Sequence, residues 1–198
     1  MVSCQHIHQQ AHQFAASKKW YRSLSQRAAV AIVIEDRPHL GPSFLMIERA
    51  EREGDPWSGQ MAFPGGKQDV GDDHITQTAL RELEEEIGVS PTQLRRFGRL
   101  SDILARPYRI QQKPMVVSPL LFEPLGDLHF NPNEEVADLL WVPINHFLES
   151  SNRQRMEWKK YGKRIQLPCY FYNEKRIWGL SLLMIDEFMR EVLGKQFS

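Results

Sequence analysis

Residues 65–89 read Gly65-Gly66-Lys67-Gln68-Asp69-Val70-Gly71-Asp72-Asp73-His74-Ile75-Thr76-Gln77-Thr78-Ala79-Leu80-Arg81-Glu82-Leu83-Glu84-Glu85-Glu86-Ile87-Gly88-Val89. Ile75, Ala79, Leu80, Leu83 and Ile87 recur at helical spacing, Asp72 or Asp73 is placed to cap the start, and Gly88 is a common kind of stop. At roughly 100° per residue, Glu82 and Glu86 lie about 40° apart around this helix, with Glu85 about 60° to the other side of Glu82. Three carboxylates therefore share one face, while Ala79, Leu83 and Ile87 anchor the adjoining face to a core. Like charges one turn apart cost only about a few tenths of a kcal/mol on an exposed helix. A solvated Glu-rich face would tolerate that, so the cluster alone does not make a site.

Three neighbouring features change its meaning. Arg81 lies one turn before Glu85 and can hold that side chain by an ion pair. The diglycine Gly65-Gly66 lets backbone approach a metal ion or a phosphate closely. Asp69, Asp72 and Asp73 punctuate the connecting loop and offer further ligands or caps. Clustered carboxylates are the hard oxygen donors that Mg²⁺ or Mn²⁺ prefers, and no His/Cys set with zinc spacing exists.

This run resembles the Nudix box: a glycine, five residues, an acid, seven residues, then Arg-Glu-aliphatic-x-Glu-Glu-x-Gly-aliphatic. Arg81 through Val89 match its second half throughout. Counting from Gly66, Asp72 follows after five residues, but eight residues then separate it from Arg81, and Asp73 has the expected spacing to Arg81. Aspartate also stands where glutamate is usual. The resemblance implies an α/β fold, a Nudix-type α/β/α sandwich with a mixed central β-sheet. It implies hydrolysis of a nucleoside diphosphate linked to another group, with Mg²⁺ or Mn²⁺ as cofactor and Arg81, Glu82, Glu85 and Glu86 as the catalytic set. Glu82 and Glu86 are the first expected metal ligands, Glu85 is a ligand or a residue that orients water, and the Gly65 carbonyl completes the coordination. The general base stays open between a helix glutamate and a loop acid. Asp72, Asp73, Glu134 and Glu135 are the further candidates for base or extra ligand.

Upstream, Arg49 to Gly66 is similar to the extension of the coenzyme A pyrophosphatases in this superfamily. Gly59 and Phe63-Pro64-Gly65-Gly66 match it, whereas the arginine expected four residues before Gly59 is Asp55, with Arg52 nearby. Ser118-Pro119, Glu134-Glu135 leading to Trp141-Val142-Pro143, and Ile177-Trp178-Gly179-Leu180 extend the similarity over about residues 28–194. It implies coenzyme A or an acyl-CoA as substrate, with Arg49, Arg52 and Lys67 meeting phosphate oxygens and Trp57 stacking an adenine or packing the pantetheine arm. A housekeeping hydrolase of ADP-ribose, dinucleotides or modified nucleoside triphosphates would carry the same catalytic residues. A non-catalytic nucleotide sensor would tolerate loss of the helix acids, all of which are present.

The remaining chain reads as a single domain over 28–198, preceded by a helical or partly ordered extension over 1–27. Strands are expected at Ala28–Glu35, Ser43–Glu48, Arg96–Ile103, Met115–Phe122 and Glu135–Val142. The first two form a hairpin with a moderately long loop. Pro143–Glu149 reads as a short helix and 155–174 as an extra hairpin. Trp178–Leu193 reads as an amphipathic helix burying Leu182, Leu183, Ile185, Phe188, Met189 and Val192, and this stripe is core or the face of a homodimer.

With 198 residues, 41% hydrophobic and 25% charged, the chain suits one sizeable core. A net charge of zero gives no general attraction for nucleic acid or an acidic membrane, so the expected partner is a small-molecule nucleotide. The first nineteen residues contain no apolar core of a signal peptide, and two widely separated cysteines, Cys4 and Cys169, suggest a reducing compartment, which together imply the cytoplasm. His6, His8 and His12 share a helical face but read as a polar terminal segment.

Overall fold

The computed structural model describes residues 2–21, 25–53, 58–105, 114–160 and 163–195. In chain order these form α1 (Cys4–Gln13), β1 (Gln26–Arg37), β2 (Gly41–Arg49), β3 (Met61–Ala62), β4 (Gly65–Lys67), α2 (Ile75–Ile87), β5 (Leu94–Arg99), β6 (Ile103–Ala105), β7 (Met115–Pro124), β8 (Val136–Pro143), α3 (Ile144–Leu148), β9 (Gln154–Lys160), β10 (Lys163–Tyr172), β11 (Lys175–Ile177) and α4 (Gly179–Glu191).

The central strand is β1. Along one edge it runs parallel to β7 from Gln26↔Met115 to Val33↔Phe122. Its other edge is divided: Ala28–Val30 pairs antiparallel with Gly65–Lys67, and Ile34–Arg37 pairs antiparallel with Gly41–Phe44. β8 and β3 extend the sheet beyond β2, and β5 and β6 extend it beyond β7. The result is a mixed sheet in which the diglycine strand is clamped beside the middle of the molecule.

Side-chain alternation makes β1 apolar on both faces. Ala29, Ala31 and Val33 join Ala79, Leu83 and Ile87 of α2 in one core. Ala28, Ile32 and Ile34 join Phe147 of α3, Leu182, Ile185, Phe188 and Met189 of α4, and Ile7 and Ala11 of α1 in the other. Helices thus cover both faces of a mixed sheet, the α/β/α sandwich that the sequence implies. Ile7 is fully buried, so α1 is part of the second core.

Several expectations are corrected. The β1–β2 loop is short, because the strand runs on to Arg37 and pairs it with Gly41; His39 (φ 65°) and Gly41 (φ 72°) make the reversal. The strand expected over 96–103 is two strands, β5 and β6, with an irregular register between Arg96 and Gly98 where β5 meets β7. On α4, Leu183 is 53% exposed and Met184 is buried in its place, because the buried face follows 181, 182, 184, 185, 188 and 189. The hairpin expected over 155–174 is present as β9 and β10, and β11 adds a third strand to make a separate antiparallel sheet. Among the described residues no helix is long and apolar enough to cross a membrane.

Candidate active site

Helix α2 carries the carboxylates and β4 carries the diglycine; packing of both against β1 brings them together. His74, rather than Asp72 or Asp73, caps α2, its Nδ1 accepting the Gln77 N–H at 3.1 Å. The helix starts later than the aspartates allow because Asp72 is engaged elsewhere. Gly88 ends the helix in the left-handed conformation (φ 75°), its N–H donating to the Glu84 carbonyl at 2.9 Å.

Glu86 is 3% exposed. Its Oε2 accepts the Gly65 N–H at 2.9 Å, and its Oε1 lies 3.6 Å from an Arg49 guanidinium nitrogen. Burial pushes this carboxyl up to about 7 against the opposing pull of the Gly65 N–H and Arg49, with Glu82 and Glu135 adding to the rise. Glu82, half-buried, is also raised, chiefly by burial and against the pull of Arg81. Two neighbouring carboxylates thus sit where ionising them is unfavourable. That environment suits a bound cation.

The diglycine is explained by contact. A Cβ on Gly66 would overlap the Glu82 carboxyl, and one on Gly65 would overlap the Ala29 carbonyl oxygen and Val30. Only residues without side chains let β4 lie between β1 and the helix acids.

Arg81 is the hub of the site. It donates to Asp72 Oδ1 and Oδ2 (3.2 and 3.1 Å), Glu82 Oε1 (2.9 Å), Glu85 Oε2 (2.9 Å) and the Lys67 carbonyl (3.0 Å). The expected Arg81–Glu85 pair is therefore present within a wider network. Asp72 is buried, also accepts the Asp69 N–H, and is held below the usual carboxylate range by Arg81. Asp73 is exposed, and its N–H donates to Gln77 Oε1. Between the two aspartates, Asp72 joins the network despite its spacing, because the 69–72 turn brings it back onto Arg81.

Around the site, Arg49 meets Glu86, whereas Arg52 is paired with Glu135 (2.9 Å) and Glu134 (3.4 Å). Lys67 is exposed at the end of β4, and Trp57 and Asp55 lie outside the described residues. The loop containing Glu134 and Glu135 docks onto the end of α2 through Asn131 and Asn133, two residues that motif reading passes over. The available signal is the Asn-Pro-Asn run immediately before the two acids. Ser118 is buried and donates to Asp102 at 2.7 Å, which makes it part of the packing. Among the described residues, no three His, Cys, Asp or Glu side chains are close enough together to hold an ion as they stand. Arg81 draws Glu82 and Glu85 towards itself. The donor set is nevertheless of the hard-oxygen kind, and the desolvated Glu82 and Glu86 fit a divalent ion chemically.

A carboxylate helix packed on a diglycine strand within a mixed-sheet sandwich defines a class of hydrolases acting at phosphorus. The chain belongs to the Nudix family: the NUDIX domain profile matches residues 25–161. Members are hydrolases of pyrophosphate anhydrides that generally use divalent metal ions. The chain is 29% identical over 174 residues to the uncharacterised Nudix hydrolase NudL of Yersinia pestis (strain Pestoides F), covering 87% of this chain and 83% of that protein. The same fold occurs in a UDP-X diphosphatase (TM-score 0.53, 20% identity, 87% of this chain and 64% of that chain). It also occurs in a C. elegans Ap4A hydrolase (TM-score 0.50, 20% identity, 62% of this chain and 83% of that chain).

Proposed function

We propose that this enzyme hydrolyses the pyrophosphate linkage of coenzyme A or an acyl-CoA, giving a phosphopantetheine and adenosine 3',5'-bisphosphate, with Mg²⁺ or Mn²⁺. The observation that carries the hydrolytic reading is the pair Glu82 and Glu86, both desolvated and set against Gly66 and Gly65. The coenzyme A reading is supported by the sequence match at Gly59, Phe63-Pro64-Gly65-Gly66 and the downstream segments.

Glu82, Glu85, Glu86 and the Gly65 carbonyl would hold the ion, which when bound neutralises the diphosphate oxygens and polarises phosphorus. The chain's own residues supply position. Arg81 holds Glu82 and Glu85 while it is itself locked by Asp72 and the Lys67 carbonyl. Arg49 and Lys67 provide positive charge for the substrate phosphates, Arg49 within reach of Glu86. Hydrolysis adds water across one P–O–P bond: the water oxygen bonds to phosphorus and the bridging oxygen leaves with its electron pair. The proton released by water goes to a carboxylate, and Glu135, held by Arg52 beside the helix end, is our choice for that acceptor.

A panel of coenzyme A, acetyl-CoA, ADP-ribose and a diadenosine polyphosphate, assayed with each ion and scored by product mass, tests the reading. Coenzyme A yielding phosphopantetheine is the expected result. Faster release of AMP from ADP-ribose would replace the substrate assignment, and no turnover of any diphosphate would overturn the catalytic one.

A further inference from the structure

We propose that Asn133 is a positioning residue that sets the register of the acidic loop against the carboxylate helix, so that Glu135 acts only while Asn133 holds the two together. The proposal rests on the role given to Glu135 above and goes beyond it by naming what places that residue.

A helix leaves its last carbonyls without partners in the helix itself. In α2, the Glu84 carbonyl takes the Gly88 N–H at 2.9 Å and the Ile87 carbonyl takes the Asn131 N–H at 2.9 Å. The other two are taken by a single residue. The Asn133 side-chain amide donates to the Glu85 carbonyl at 2.8 Å, and the Asn133 N–H donates to the Glu86 carbonyl at 2.9 Å. The residues so held are two of the site's carboxylates.

The remaining end of the Asn133 side chain serves the loop. Its Oδ1 accepts the Glu135 N–H at 2.8 Å, closing a turn of the kind asparagine favours. From there the Glu135 carbonyl takes the Ala50 N–H at 2.8 Å and the Glu135 carboxylate meets Arg52 at 2.9 Å. One planar amide thus faces both ways, with its donor on the helix of Glu85 and Glu86 and its acceptor on the backbone of Glu135. A residue that only closed the helix would need the donor alone. The acceptor bond satisfies no helix group, and that is the sign of a second task. Aspartate lacks the donor. Serine is short, and it can keep the turn without reaching the helix.

The test is a double-mutant cycle in the full-length enzyme, using coenzyme A, or ADP-ribose if that is the compound wild type cleaves. Asn133→Ala should lower kcat by roughly tenfold to a hundredfold, as small misplacements of acting groups do, with KM changed by less than about threefold. Asn133→Ala should also lower the thermal midpoint, and in a Glu135→Gln background it should still do so while costing nothing further in kcat. Asn133→Ser, which keeps the turn, should lose less kcat than Asn133→Ala and replaces it in the cycle if the alanine variant does not fold. The proposal is overturned if Asn133→Ala leaves kcat unchanged or costs the same factor in both backgrounds. It is also overturned if Glu135→Gln alone turns over like wild type. None of these results would unseat the helix acids, whose failure would appear as full activity of Glu86→Gln.

Discussion

The Gly65 N–H donates to Glu86 Oε2 at 2.9 Å, joining residues twenty-one positions apart in the chain. This bond fixes β4 to the last turn of α2. It points the acid inward, where water cannot solvate it, with Arg49 at 3.6 Å as its positive neighbour among the described residues. A carboxylate held this way costs stability, and that cost makes several outcomes predictable.

Substituting Glu86→Gln should abolish most turnover, by a hundredfold or more if it is a ligand, and should stabilise the metal-free protein at neutral pH. The sign follows from a folded-state value near 7 against an ordinary value of 4.5. The group's favourable contribution is complete below about 4.5 and is lost as pH rises through about 7. The variant's advantage should therefore grow between pH 5 and pH 8, reaching on the order of 1–3 kcal/mol. Urea unfolding in chelator at the two pH values measures it, and an advantage independent of pH would contradict this account.

Replacing Gly66 by alanine places a methyl group on the Glu82 carboxyl. We expect kcat to fall at least about tenfold while circular dichroism stays native, since the side chain can swing aside. Gly65→Ala meets the Ala29 carbonyl oxygen and Val30, which cannot move away, so loss of soluble protein is expected instead. Expression yield and melting curves of the pair distinguish a displaced carboxylate from a displaced strand.

Arg81→Lys keeps the charge but not the fork that spans Asp72, Glu82 and Glu85. Stability should fall by about 1–3 kcal/mol, because Asp72 is buried and loses its principal partner. Turnover should fall with it. Retained melting temperature and rate would show that the network is incidental.

Adding Mg²⁺ or Mn²⁺ should raise the melting temperature of the wild type. Ion at a hundredfold its dissociation constant contributes about 2.7 kcal/mol. A Glu82→Gln, Glu86→Gln double variant should show no such rise, and an undiminished rise would place the ion elsewhere.

Much of this architecture is legible locally. The apolar spacing of Ala79, Leu83 and Ile87 and the stop at Gly88 mark α2 correctly, and all three side chains are fully buried. Near the helix start, Asp72 and Asp73 are both good caps by residue type. Asp72 instead has a stronger partner in Arg81 and leaves capping to His74. On α4, reading Leu183 as core placed one apolar residue on the wrong side of a helix whose neighbours turn the buried face through Met184.

The sequence by itself determined that three acids share a helical face beside a diglycine and that apolar strands surround them, since these depend on residue type and spacing over a few turns. Only the tertiary structure decided that Gly66 faces Glu82, that Arg52 is taken by Glu134 and Glu135, and that Asn133 closes the helix end. Such contacts link residues from sixteen to more than eighty positions apart. They follow from how the strands pair and how the helices settle on them, and no local periodicity encodes that.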